Sequence, residues 1–134
     1  MSDLISNYKI LPEQNLVIQH HSGAMTFSNY TSFAQNLYAD SLYNPNLNHL
    51  INIKEVFIKV SLGDLNKYAE FSKNNFKKPK TRNIAVVTKT PDQVVLSTLF
   101  KILSKRLPQN IEIFSTQKAA AEWLKIDPSL LNTV

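Results

Sequence analysis

Asn83-Ile84-Ala85-Val86-Val87-Thr88-Lys89-Thr90-Pro91-Asp92-Gln93 is the stretch that decides the fold. Its first half is a nearly continuous β-branched run, the pattern of a strand covered on both sides. Thr90 then offers a hydroxyl N-cap and Pro91 takes the first helical position. Asp92 sits near the positive end of the helix dipole, and Gln93 completes a capping box. A covered strand that runs straight into a capped helix is a piece of an alternating β/α chain, whose parallel strands are joined by crossovers.

Downstream, the helix runs to Leu107 and carries Val94, Val95, Leu96, Leu99, Phe100, Ile102 and Leu103, an apolar surface wider than one stripe. Pro108 stops it. Ile111-Glu112-Ile113-Phe114 reads as the last strand. Ser115 or Thr116 caps a short helix bearing Ala120, Trp123 and Leu124, and residues 126–134 read as a tail. Upstream, Ser61-Leu62-Gly63-Asp64 has capping-box form and opens a helix with Leu65, Tyr68, Ala69, Ser72 and Phe76 on one face. His49–Ile53 is a strand, with Val56–Val60 a second strand or its continuation. From Thr26 or Ser28, apolar residues at Tyr30, Phe33, Ala34, Leu37 and Tyr38 mark an amphipathic helix that Asn44-Pro45-Asn46 breaks. Tyr8–Leu11 and Leu16–His21 flank the turn residues Pro12-Glu13-Gln14-Asn15 as an antiparallel hairpin, with Gly23 ending its second strand. The order is ββαβαβαβα. The expectation is a single α/β domain over 1–134, with a core of about 8–125 and a mixed sheet: an N-terminal antiparallel hairpin, the remaining strands parallel, helices flanking.

At 134 residues with 43% hydrophobic and 19% charged residues, the chain has the composition of a globular domain rather than a disordered one. It has no Cys, which excludes a disulfide framework, a Cys-ligated metal and a thiol nucleophile. The residues from Met1 to Asn7 carry no basic and apolar signal pattern, and no apolar run approaches a membrane span, so a cytoplasmic location is expected. The net charge of +5 is concentrated: residues 71–110 hold nine bases and one acid. Lys73 to Arg82 lies between a helix and a strand, where a solvated connector is expected, and Lys101, Lys105 and Arg106 close a helix. No nucleic-acid motif accompanies the charge, so no nucleic-acid partner is expected.

Two glycines cannot make a nucleotide-binding fingerprint. His20 and His21 are adjacent on a strand and point to opposite faces. One of them lies near His49 if the strands pair, yet no acid stands nearby as a third ligand or orienter. Ser22-Gly23 lacks the first glycine of a nucleophile elbow. No catalytic residue, metal site or cofactor is expected, and the chain is read as a non-enzyme.

Tyr8–Val17, Ser22-Gly23, Tyr43-Asn44-Pro45-Asn46, Thr90–Phe100, and Ile111–Thr116 running into Ala119–Leu124 resemble the SpoIIAA-like, STAS-type family of small bacterial proteins. The resemblance covers roughly residues 8–125. It implies a small mixed sheet flanked by helices, shared in outline with anti-sigma-factor antagonists and with lipid-binding SEC14 domains. In the antagonists, a serine in an Asp-Ser-Ser/Thr-Gly-like motif after the third strand is phosphorylated. Here that region reads Lys59-Val60-Ser61-Leu62-Gly63: Ser61 is the one candidate, and the preceding acid is missing. Ser61 also has an N-cap role, and a phosphate there would repel Asp64.

The expected function is a regulatory, protein-interaction module that docks a partner protein or a second copy of itself through the wide apolar helix, at Leu96, Phe100 and Leu103. The alternative is SEC14-like binding of an apolar ligand or lipid, in a pocket lined by Tyr30, Phe33, Leu37 and Phe57, with Phe71 and Phe76 as further candidates.

Overall fold

In the computed structural model the described residues are 3–61, 63–67, 70, 81–105 and 107–133, the side chains of 132 and 133 excepted. Five strands form one sheet in the order β1-β2-β3-β4-β5: β1 Ile5–Leu11, β2 Leu16–Met25, β3 Asn48–Ile58, β4 Arg82–Val87 and β5 Gln109–Phe114. β1 pairs antiparallel with β2, and every later pair is parallel. The helices are α1 Phe27–Tyr38, α2 at 63–67, α3 Pro91–Leu103 and α4 Gln117–Leu124. The expected mixed α/β architecture is the observed one. Among the described residues, no helix is long and apolar enough to cross a membrane.

The register explains the two cores. Ile18, Leu50 and Ala85 stand in line across β2, β3 and β4. With Leu16 and Val87 they meet Ala120, Ala121 and Leu124 of α4 on one face. The small side chains of Ala120 and Ala121, both fully buried, allow α4 to approach the strands closely. On the opposite face Ile53, Val56, Ile84, Val86 and Ile111 form a second cluster, against which Tyr30 of α1 and Phe100 of α3 pack. β4 is covered on both sides, as its β-branched run requires.

Boundaries differ from the sequence reading at several points, α3 ending at Leu103 rather than Leu107 among them, and of the two alternatives for 49–60 the continuation is the observed one. Gly23 does not end β2; it sits inside the strand with φ of 90°, and pairing continues to Met25. The two extended stretches of 49–60 are one strand, interrupted by a bulge: His20 pairs with Asn52 but Ser22 with Glu55, so β3 carries one extra residue. The tail contains a 3₁₀ segment, Pro128–Thr133, and its Leu131 is buried in the α4 core. The helix-face candidates Tyr68, Ala69, Phe71, Ser72 and Phe76 lie outside the described residues, as do Lys73, Lys77, Lys78, Lys80 and Arg106.

The helix starts follow the caps read in the sequence. Thr26 and Asn29 form a reciprocal box at α1, and Ser61 and Asp64 do the same at α2. The box at α3 reaches further. Gln93 Oε1 accepts from the backbone N–H of Lys89 and Thr90, at 2.7 and 3.1 Å, while its Nε2 donates to the carbonyls of Lys54 and Val56, at 3.2 and 2.9 Å. One buried amide thus caps a helix and satisfies the carbonyls that flank the β3 bulge.

Gln93→Leu keeps the volume and loses all four bonds. Two backbone carbonyls left unsatisfied and a weakened cap are expected to cost about 3 kcal/mol. Val95→Ala, on the outer surface of the same helix, should stay within about 0.5 kcal/mol. Urea denaturation of both variants checks this.

Candidate functional site

On the face that meets α1 and α3, the strands carry polar side chains where apolar ones are the rule. Gln19, His21, His49 and Arg82 are all at most 4% exposed. Strand alternation places them: Val17-Gln19-His21 on β2, His49 ahead of Ile51 on β3, Arg82 ahead of Ile84 and Val86 on β4, Gln109 ahead of Ile111 on β5. Arg82 and Gln109 are Cα partners, as are His49 and Ile84.

They form one hydrogen-bonded chain across all five strands. Ser6 Oγ lies 2.7 Å from His21 Nδ1, and His21 Nε2 lies 2.9 Å from Gln19 Oε1. Gln19 Nε2 lies 2.9 Å from His49 Nδ1, and His49 Nε2 lies 3.2 Å from an Arg82 terminal nitrogen. That nitrogen also donates to Tyr43 Oη at 3.2 Å, while Nε and the other terminal nitrogen donate to Gln109 Oε1 at 3.3 and 3.0 Å. Tyr30 Oη is 3.1 Å from Gln19 Oε1.

Proton counting sets the orientation. A guanidinium only donates, so His49 Nε2 accepts and its single proton sits on Nδ1. That proton needs an acceptor, so the oxygen of the Gln19 amide belongs on the side facing His49. A half-turn of the amide, which leaves its outline unchanged, puts it there and turns the nitrogen toward His21 and Tyr30 Oη. His21 Nδ1 then donates to Ser6. Both imidazoles and the Gln19 amide are satisfied in this arrangement, and both imidazoles are neutral.

Electrostatics agree. Burial, with His20 alongside, lowers the His21 pKa to about 3; burial and the Arg82 charge hold His49 well below the ordinary imidazole value. Ser6 and His21 lie at the distance of a nucleophile and its base, but in this arrangement His21 Nδ1 carries the proton and has no lone pair with which to take one from the serine. The sequence reading that one of the adjacent histidines lies near His49 matches His21, with Gln19 between them.

Beside this chain lies a cavity of about 120 Å³. Gln19, His49, Arg82 and Gln109 form its polar end; Ile51, Ile53, Ile84 and Val86 its floor; Leu96 and Phe100 of α3, Tyr30 of α1 and Leu65 of α2 its walls. Gln109 Nε2 is buried and has no hydrogen-bond acceptor among the described residues. Such an orphaned donor costs about 1–3 kcal/mol. Its Oε1 is fixed by the Arg82 fork, so the amide cannot turn over to relieve it.

The expected site residues fall differently. Tyr30 lines the cavity. Phe33 packs edge-on to His21 with ring centroids 4.7 Å apart, and Leu37 is buried with Ile10, Val17 and Leu47. Phe57 is 53% exposed. The bulge is the reason: Ile53 and Val56 both join the cluster on the α1/α3 face, which sends Phe57 to the opposite face. Leu96 and Phe100 line the cavity and Leu103 is half-buried, so they do not form the outer surface of α3. Val94, Val95 and Ile102 do, at 42%, 58% and 53% exposure. Ser61 is exposed, and its hydroxyl accepts from the Asp64 backbone N–H at 3.1 Å. Arg82, read as part of a solvated connector, is buried.

A scan against protein-family models and a search of curated proteins find no match. Among solved structures, the chain is similar to an uncharacterized protein of the DUF3478 family with a SpoIIAA-like fold from Shewanella loihica PV-4. The identity is 17% and the TM-score 0.58, over 92% of this chain and 98% of that one. The fold is therefore SpoIIAA-like.

The histidines make stability depend on pH. Their folded pKa values lie below the ordinary unfolded value of about 6.5, so the unfolded state takes up protons first as pH falls. Their contribution is full above about pH 6.5 and is lost below it, by up to ~1.4 kcal/mol per pH unit for each histidine. The acids Asp40, Asp64 and Asp127 are held below the usual carboxylate range by hydrogen bonds from Tyr8, Ser61 and Ser129, and titrate later. Urea denaturation from pH 8 to 5 should give a flat region and then a fall beginning near 6.5.

Proposed function

We propose that the protein is a non-enzymatic regulatory module that works by holding a small amphipathic molecule between its sheet and helices α1 and α3. The carrying observation is the cavity, with its largely apolar floor and walls and the buried polar end formed by Gln19, His49, Arg82 and Gln109. Binding sites combine those two features: apolar area supplies affinity and a few fixed polar groups supply orientation. The volume narrows the SEC14-like alternative. An engineered apolar cavity of roughly 150 Å³ takes up benzene. A space of about 120 Å³ therefore buries about six heavy atoms, less than the length of a lipid acyl chain.

A second reading, association with another copy of the chain, draws support from the outer stripe of α3 at Val94, Val95 and Ile102. It relocates the docking surface by about half a turn from Leu96, Phe100 and Leu103. The two readings are compatible, since the same helix carries cavity residues on one side and exposed apolar residues on the other.

Benzene titrated into the ¹⁵N-labelled protein should shift amides of Ile51, Ile84 and Phe100 saturably. Leu96→Trp, which fills the cavity from its half-buried wall, should abolish the effect in a folded protein. Absence of any saturable shift in the unsubstituted chain counts against the reading. Light scattering across a hundredfold concentration range should show mass rising toward a dimer, and the double variant Val95→Asp, Ile102→Asp should stay monomeric.

A further inference from the structure

We propose, on the footing that the cavity binds a small molecule, that its occupant is neutral and carries a single oxygen, a hydroxyl or a carbonyl, which shares a hydrogen bond with Ser97 Oγ. Helix α3 is apolar nearly all round, yet a serine interrupts the side it turns to the sheet. Gln93, Ser97 and Phe100 stand at i, i+4 and i+7, on one face. From that face Gln93 reaches the carbonyls of Lys54 and Val56, and Phe100 packs on the sheet cluster. Ser97, between them, is 5% exposed and lines the cavity.

A hydroxyl within a helix commonly bonds the carbonyl four residues back. Thr98 does so, donating to the Val94 carbonyl at 2.8 Å. Ser97 Oγ makes no such bond, nor any other among the described residues. It is not sealed either: the unpaired buried side-chain atoms without accessible surface are Ser104 Oγ and Gln109 Nε2. The Ser97 hydroxyl therefore opens onto the cavity that its residue lines, with its proton and its lone pairs unused. The polar end of the cavity is already spent, since Gln19 and His49 bond each other and Arg82 has its own acceptors. The floor and the α3 wall around Ser97, formed by Ile84, Val86, Leu96 and Phe100, are apolar. An ion placed there would lose its water for one hydrogen bond, and an amide would leave most of its polar sites unmet. A single oxygen is the polar load that one hydroxyl can meet, and about 120 Å³ takes a ring-sized apolar body beside it.

The probes are phenol, un-ionised at neutral pH, benzene, which lacks only its oxygen, and butyrate, a charged molecule of similar size. Each is titrated into the ¹⁵N-labelled full chain and followed by NMR. Phenol is expected to bind at least as tightly as benzene and to move the Ser97 amide further, while butyrate gives no saturable shift. Ser97→Ala should weaken phenol by about fivefold or more and leave benzene within about twofold. In the free chain the same variant should raise the urea midpoint, because an unpaired buried hydroxyl gives way to a better helix former. Benzene binding with a phenol affinity that Ser97→Ala does not change overturns the inference and leaves the cavity reading standing. Butyrate binding as tight as that of phenol does the same. A lowered urea midpoint also overturns the inference, since the hydroxyl then has a partner in the free protein. No saturable shift with either phenol or benzene overturns the inference and the cavity reading together.

Discussion

A guanidinium cannot shed its charge, and Arg82 stands buried at the head of a strand covered on both faces. That constraint organises one whole face of the sheet. Its donors need acceptors, which Gln109, Tyr43 and His49 provide. An imidazole that accepts on one nitrogen must donate on the other, so His49 requires Gln19, Gln19 turns to His21, and His21 ends on Ser6. The chain of bonds thereby touches β5, β4, β3, β2 and β1 in turn. Its members are costly to bury singly and tolerable only together, since a half-satisfied buried network is worse than an apolar core.

The bulge in β3 divides that face into two halves. Before it, His49 and Ile51 look toward α1 and α3; after it, Val56 does. A strand without the extra residue would turn Phe57 inward and fill the space with an aromatic ring. The bulge leaves backbone carbonyls that the ladder does not serve evenly, and Gln93 supplies their donors while its oxygen caps α3. The position of α3, and with it the wall formed by Leu96 and Phe100, is thus tied to the irregularity in the strand opposite. The cavity is a product of register as much as of side-chain size.

What the sequence made legible follows from locality. Caps, turn residues and periodicity act over three or four positions, and they placed α1, α3, α4, the hairpin and the parallel strands. The strand alternation also carried a signal that went unread. Arg82, Ile84 and Val86 share a parity, as do Gln109 and Ile111, and Gln19 and His21. In each case a polar residue heads or joins an otherwise apolar row. Whether these polar residues share one face depends on pairing between strands dozens of residues apart, which no local pattern states. The same holds for Phe57: alternation from His49 would put it with Ile51 and Ile53, and a single inserted residue reverses it. The outward turn of Val95 and Ile102 instead of Leu96 and Phe100 was hidden because α3 is apolar nearly all round, and an apolar circumference does not say which side is down.

The polar chain also bears on why the chain adopts this sheet and no close relative of it. Apolar side chains pack almost as well after a slip of strand pairing, because Val, Ile and Leu substitute for one another at modest cost. Polar partners do not. Shifting β4 by one residue along β3 would carry Arg82 to the opposite face, among Ala120, Ala121 and Leu124, with no acceptor for a buried charge. Shifting β5 by one would remove Gln109 from Arg82 and leave the guanidinium short of two bonds. A slip of β2 would strand both His21 and Gln19. Each strand therefore contributes at least one residue that is satisfied in a single register, and the penalty for leaving it is several kcal/mol against a total stability of about 5–15 kcal/mol. On this argument the buried row specifies the sheet more than it stabilises it, and the cavity inherits its polar end from residues that the fold needs for its own alignment.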